Sequence, residues 1–316
     1  TPHVMRKWGI TLEKLAAARP GIIFASLSGY GSDGPYVDYP ANGATTEPMS
    51  GMSSLHGYVG DPGMNTSGLS PDPISGYFFT AAILAALHRR ERDGKAQRID
   101  AAMQESTAMV VSDALAQLDA TGRVRRPNGN RDARVAPHGV YAARGEDEWL
   151  ALAAETEEAW AALAGEMGVP ELAEDARFAS MADRKLNEDA LDALVGEWCA
   201  RQDAAEAESA LGALGCTAAR VVRLYDAYDG PDPILQANGF LSQVTHPESG
   251  THWLPGAPWR IGDEGSMELR PSPCLGEHSR EVLREELGMD DARYAELVSM
   301  GVTGTTETRA KKTTAG

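Results

Sequence analysis

Residues 70–106 read SPDPISGYFFTAAILAALHRRERDGKAQRIDAAMQES, and this stretch decides the fold class. Asp72 followed by Pro73 supplies the residue types favoured at a helix N-cap and at the first helical position. The run from Ile74 to Asp93 then reads as a helix, and Gly94 stops it. Gln97 to Ala101 reads as a strand and 103–120 as a second helix. Upstream, Ile22 to Ser28 is a short apolar run of the kind a buried strand presents. This alternation of strand and helix predicts an α/β unit with parallel strands.

Outward from that stretch the chain is punctuated by loops. Residues 11–19 read as the end of an amphipathic helix, closed by Pro20-Gly21. Gly29 to Pro40 and Gly57 to Pro73 are Gly/Pro-rich loops around a weaker helical stretch over 44–55. Residues 122–136 (GRVRRPNGNRDARVA) are basic and turn-rich. After them come a strand at Trp149 to Ala153, acidic Ala-rich helices at 155–167, 185–201 and 203–214, and a strand at 218–223. Short strands return at Phe240–Val244 and Thr251–Leu254, followed by helices at about 275–288 and 290–299. The organisation expected is a large domain over 1–120, a linker over 121–135, a small domain over 136–235, a return to the large domain over 236–302, and a flexible tail over 303–316.

Composition removes several function classes. Lys plus Arg is 29 against 46 for Asp plus Glu, a net charge of −17. Nucleic acid needs clustered Lys and Arg, and an anionic membrane surface needs the same, so neither is expected as a partner. An anionic small molecule stays open, because a local basic pocket can oppose the global sign. The longest apolar stretch, Tyr77 to Leu87, is 11 residues, against about 20 for a spanning helix. No charged segment followed by an apolar run opens the chain, so no secretory signal is expected. The three cysteines (Cys199, Cys216 and Cys274) lack CxxC spacing and suit free thiols in a cytoplasmic protein.

Few motifs carry chemistry by themselves. Gly29 to Gly34 matches GxGxxG after a strand, but Pro35-Tyr36 follows where a helix should open, and Asp33 sets a negative charge in the phosphate cradle. A tight loop needing positive φ is the better account. The seven histidines have neither HxxxH nor HExxH spacing, so no metal site is expected. There is no GxSxG elbow. Asp72 permits two readings: a cap that satisfies free N–H groups, or an ionised carboxylate that attacks an activated acyl group.

Taken together, ARPGIIFASLSGYGSDGPY (18–36), MSGMSSLHGYVGDPG (49–63), the opening stretch, APHGVYAARGEDEWLALAAETEEAWAALAGEMG (136–168), ELAEDARFASMADR (171–184) and LGEHSREVLREELG (275–288) resemble the class III CoA-transferases. This family includes formyl-CoA and carnitine CoA-transferases and the α-methylacyl-CoA racemases. The resemblance runs to about residue 302. It implies a Rossmann-like large domain assembled from both chain ends, a smaller α/β domain, and an intertwined homodimer. It sets Asp72 at the family's catalytic aspartate, where it also caps the helix. The implied route is covalent. Asp72 attacks the thioester of an acyl-CoA to form a mixed anhydride, and the CoA thiolate converts this to an aspartyl-CoA thioester. The carboxylate of a small acid then takes CoA away and regenerates Asp72. Coenzyme A enters as substrate, and no permanently bound cofactor is expected.

The same resemblance assigns further residues. Lys7 falls where a basic group meets CoA phosphate, and Trp8 where an apolar residue borders the nucleotide. Gly29 and Gly31 bring backbone against CoA. Asn42 stands where the racemase branch has a histidine, which disfavours racemisation; it orients a substrate carboxylate or fixes a turn. Gly43 follows it where the formyl-CoA branch has an acid. His138 is a substrate-binding candidate. Family members begin with a further nucleotide-fold segment of roughly 100 residues, one domain's worth of chain. Its absence ahead of Thr1 leaves three explanations: a cropped start, a second chain that supplies the segment, or a non-catalytic, partner-dependent subunit.

Overall fold

The structure is a computed structural model that describes residues 2–66, 68–229, 233–262 and 269–305. Its architecture is mixed α/β, and the chain divides into two compact units, Thr1–Arg220 and Val221–Gly316.

The first unit opens with helices α1 (Pro2–Trp8) and α2 (Leu12–Ala18), then strand β1 (Ile23–Ser28). Helices α3 (Gly43–Ser50) and α4 (Pro71–Asp93) carry the chain back to β2 (Gln97–Ala102). β1 and β2 pair in parallel, from Ile23 opposite Gln97 to Ser28 opposite Ala102. A parallel pair needs a long crossover, and α4 supplies it by packing on both strands. Gln97 Nε2 donates to the carbonyl of Ala86 at 2.8 Å and so pins β2 to α4.

Two local expectations change. α4 begins at Pro71, one residue before Asp72, with Ser70 at the cap position. Asp72 is therefore the second helical residue and caps nothing. Pro71 and Pro73 both fit in the first turn, because the N–H groups they lack have no intrahelical acceptor there. The helix expected over 103–120 is two helices, α5 (Met103–Val110) and α6 (Ser112–Thr121), separated by Val111 at ψ 21°.

The densest core of this unit lies between residues 136 and 218. Strands β3 (His138–Ala142), β4 (Trp149–Ala153) and β5 (Thr217–Arg220) form an antiparallel sheet. Helices α7 (Glu157–Glu166), α8 (Met181–Leu186), α9 (Glu188–Cys199) and α10 (Ala204–Ala213) accompany it. Leu150, Leu152, Trp160, Leu163, Phe178, Leu191, Val195 and Leu211 are buried together. β3 escapes the sequence reading because Gly139 breaks its apolar run. Cys199 and Cys216 are buried here, and desolvation pushes the Cys199 thiol up to about 12, so neither serves as a nucleophile at neutral pH.

Arg184 sits inside this core with no exposed surface. Its Nε donates to the Ala136 carbonyl at 2.7 Å and its Nη1 to the Phe178 carbonyl at 3.1 Å. Nη1 also meets Glu157 Oε2 at 2.6 Å, and the guanidinium lies 5.6 Å from the Trp160 ring centre. Arg184→Met is expected to cost about 3 kcal/mol, because it orphans two buried carbonyls. In a thermal melt that is a drop of roughly 6–12 °C; an unchanged midpoint would contradict it. The Arg184 hydrogen bond holds the Glu157 carboxyl below its ordinary value of 4.5. The associated stability is therefore present above that value and lost as pH falls through the lower, folded one. Glu157 is half-exposed, which keeps the effect small.

The second unit contains helices α11 (Leu224–Asp229) and α12 (Pro233–Ala237), an antiparallel hairpin of β6 (Leu241–His246) and β7 (Gly250–Pro255), then α13 (Ser279–Leu287) and α14 (Asp291–Ser299). The tail expected over 303–316 lies outside the described residues from 306 onward.

Candidate active site

Ligands of open α/β sheets bind beyond the carboxyl ends of the strands. Here β1 and β2 end at Ser28 and Ala102, and the loop from Gly29 to Gly34 leaves from that edge. Three contacts fix its shape. Gln104 N–H donates to the Gly29 carbonyl at 3.1 Å, and Ser28 Oγ donates to the Gly31 carbonyl at 2.9 Å. The Ser32 hydroxyl donates to Asp100 Oδ1 at 2.7 Å. Gly31 has φ +86°, as a tight loop there requires. The next helix opens only at Gly43, so the glycines do not form the strand–turn–helix of a dinucleotide site.

That helix, α3, begins with a complete capping box. Asn42 Oδ1 accepts from Thr45 N–H at 3.1 Å, and Thr45 Oγ1 accepts from Asn42 N–H at 3.0 Å. Asn42 thus fixes the turn, and its side-chain oxygen is committed to the backbone. Gly43 is the first helical residue and is buried.

Against Gly43 stands the start of α4. A Cβ built on Gly43 would lie 2.1 Å from Asp72 Oδ2 and 3.0 Å from Leu69 Cα. Asp72 is exposed, so its carboxylate rests on the backbone of Gly43 with the other face open. The N-terminus of α3, with the partial positive charge of its free N–H groups, lies beside it. Leu69 holds the turn before Asp72 at φ 50°, an uncommon conformation for a side chain of that size. Asp72 N–H donates to the Leu69 carbonyl at 3.0 Å, and Ser75 Oγ donates to the Asp72 carbonyl at 3.0 Å.

A cavity of about 700 Å³ lies between the start of α1 and the loop that follows β1, and its wall reaches Ala41. His3, Gly29, Tyr30, Tyr39, Ala41 and Met103 are among its lining residues. Gly29 is pressed on Ala41, so closely that a Cβ placed on Gly29 would lie 2.1 Å from the Ala41 Cβ. Ala41 is two residues from Gly43, a span of about 7 Å at most. The cavity wall and the Asp72 carboxylate are thus joined by three consecutive residues, Ala41-Asn42-Gly43. Arg6 Nη2 donates to Asp38 Oδ1 at 2.6 Å and ties α1 to the same loop.

The structure therefore brings Gly29, Asn42, Gly43 and Asp72 together. It leaves other sequence-derived residues elsewhere. Lys7 and Trp8 are exposed at the far end of α1, whose first turn lines the cavity. Gly31 lines a separate, acidic hollow with Asp33, Asp100 and Glu105. His138 lies on β3, with Nδ1 2.6 Å from the Asn130 carbonyl, in a cavity over the three-stranded sheet. No cluster of metal-ligating side chains occurs among the described residues. No helix among them is long and apolar enough to cross a membrane. Sequence reasoning misses Glu47, Ser53, Asn65 and Thr66, which pack behind the Asp72 turn. Buried Glu is rare enough that its sequence carries no signal.

Known proteins are similar to this chain over most of its length. The sequence profile of CoA-transferase family III matches residues 1–279. The chain is 31% identical over 294 residues to acetyl-CoA:oxalate CoA-transferase of Acetobacter aceti, covering 92% of this chain and 73% of the relative. It is 28% identical over 296 residues to succinyl-CoA–D-citramalate CoA-transferase of Chloroflexus aurantiacus, covering 94% of this chain and 73% of that one. Among solved structures, a CAIB/BAIF family protein from Brucella suis superposes with a TM-score of 0.81 at 26% identity, over 90% of this chain and 73% of that chain.

Proposed function

Because the chain belongs to CoA-transferase family III, we propose that it moves CoA from a donor acyl-CoA to a small carboxylic acid with Asp72 as nucleophile. The observation that carries this reading is the exposed Asp72 carboxylate, seated on Gly43 at the α3 N-terminus, two residues along the chain from Ala41 in the wall of a cavity of about 700 Å³.

In this reading one Asp72 oxygen attacks the thioester carbonyl, the C–S bond breaks, and an acyl-aspartyl anhydride forms. The CoA thiolate attacks the aspartyl carbonyl of the anhydride, which frees the donor acid and leaves an aspartyl-CoA thioester. The acceptor carboxylate attacks that thioester, and the released thiolate attacks the acceptor side of the new anhydride. Acceptor acyl-CoA leaves and the Asp72 carboxylate returns. A thioester or anhydride persists at every step, so no ATP is needed. CoA participates as substrate.

An anhydride must be kept from water. Asp72 is exposed in the free chain, so the reading requires the bound ester and a second copy of the chain to cover it. Tyr77, Phe78 and Leu84 on α4 and Leu115 and Leu118 on α6 are exposed, an apolar surface of the kind assemblies cover. The proposal accordingly includes the Rossmann-like large domain and the intertwined homodimer.

Racemisation needs a group that shuttles a proton at the α-carbon. Asn42 has none to offer, and its side-chain oxygen is held by Thr45. The discriminating experiment follows two labels with acetyl-CoA and succinyl-CoA as donors and oxalate and citramalate as acceptors, the classes used by the named relatives. Carboxylate label is expected to enter the CoA ester without ATP, while deuterium at the α-carbon is retained. Loss of deuterium without acyl exchange would overturn transfer in favour of racemisation.

A further inference from the structure

Behind the Asp72 turn lies a buried carboxylate that takes no part in the transfer chemistry. Glu47, on α3, is 1% exposed. Charged side chains are almost never buried so fully unless paired, yet its hydrogen-bond partners are neutral. Thr66 N–H donates to Oε1 at 2.8 Å, and the Thr66 hydroxyl donates to Oε2 at 2.8 Å. The Ser53 hydroxyl lies 3.3 Å from Oε1 and 2.6 Å from Asn65 Oδ1. Asn65 Nδ2 donates in turn to the Ala44 carbonyl at 3.0 Å.

These contacts set the direction of each proton. The Thr66 hydroxyl has one hydrogen, and it is donated to Glu47 Oε2. The Thr66 oxygen, 2.7 Å from Ser70 Oγ, is therefore the acceptor for the Ser70 hydroxyl. Ser70 immediately precedes α4, and Leu69 beside it is held at φ 50°. Such a conformation persists only where its surroundings over-determine it. Glu47, through Thr66 and Ser70, supplies that constraint from the same helix whose first residue supports the Asp72 carboxylate.

We propose that Glu47 is a positioning residue for Asp72, fixing the start of α4 so that the Asp72 carboxylate meets Gly43. This rests on Asp72 being the nucleophile. Glu rather than Gln suits the role because both carboxylate oxygens accept, whereas a Gln amide turns an N–H toward one of the two Thr66 donors.

The test uses the full chain as wild type, Glu47→Gln, Thr66→Val and Thr66→Ser. It measures kcat, KM for the acyl-CoA, the melting midpoint, and the covalent adduct on Asp72. Thr66→Val removes only the hydroxyl, while Thr66→Ser keeps both donors. A small misplacement of a reacting group costs about ten- to a hundredfold in rate. The expected result is a kcat lower by about tenfold in Glu47→Gln and Thr66→Val, with KM within about twofold and most activity retained in Thr66→Ser. A merely structural role would lower the melting midpoint and leave kcat per folded molecule unchanged; that result overturns the proposal. If Glu47→Gln does not fold, the Thr66→Val and Thr66→Ser pair decides alone. A wild-type chain without an Asp72 adduct would sink the nucleophile reading and this proposal with it. A wild-type adduct with unchanged kcat in Thr66→Val would sink this proposal only.

Discussion

Asp72→Asn is expected to lower CoA transfer by about a thousandfold or more while leaving the chain folded. An amide oxygen does not form an anhydride with a thioester, so the covalent route closes at its first step. The fold has little stake in the charge. Asp72 is exposed, and its backbone contacts to Leu69 and Ser75 remain in the variant. Losing a negative charge from the first turn of α4 costs about 0.3–1 kcal/mol. Circular dichroism and a melt would verify that activity, and not structure, is lost. Asp72→Glu is a sharper control, since the nucleophile is kept and moved by one methylene. It should still lose about a hundredfold. Residual activity within tenfold of wild type in Asp72→Asn would remove the residue from the mechanism.

Gly43→Ala is expected to cost about a hundredfold in kcat, from a residue that takes no part in bond making. The added methyl would lie 2.1 Å from Asp72 Oδ2 and 3.0 Å from Leu69 Cα. The nearer atom ends a flexible side chain and swings away, while the Leu69 backbone has to give by a few tenths of an ångström. A modest fall in the melting midpoint is therefore expected beside the much larger loss of kcat, which comes from a nucleophile that has moved. If Gly43→Ala retained full kcat, the seat of the carboxylate on α3 would have no bearing on the reaction.

The parallel β1–β2 pair and the long α4 are legible because their signals are local: an apolar strand run, a helix bounded by Asp72-Pro73 and Gly94, and a crossover too long for a hairpin. The start of α4 differs from its sequence expectation by two residues, Pro71 in place of Pro73. Both Pro71 and Pro73 are compatible with a first turn, so the sequence offers two registers, and the packing of Leu69 on Gly43 selects between them. β3 is hidden because Gly139 weakens its pattern, and its pairing with β4 is a tertiary gain. At the site, Asp72 stands out through resemblance; its helix position alone leaves capping and catalysis open. Asn42 is open in the sequence between orienting a substrate and fixing a turn, and the capping box with Thr45 gives the second reading its geometry. Glu47 is invisible for a physical reason. A glutamate in a helix is normally solvated, and only the return of Thr66 from a separate loop provides the donors that bury it.

The most direct test of the central claim is peptide mass spectrometry of the full chain after brief incubation with an acyl-CoA. The account predicts a CoA or acyl adduct on the peptide that contains Asp72, absent from Asp72→Ala. A chain that exchanges CoA between esters and acids yet carries no adduct at Asp72, or carries one on another residue, would contradict it.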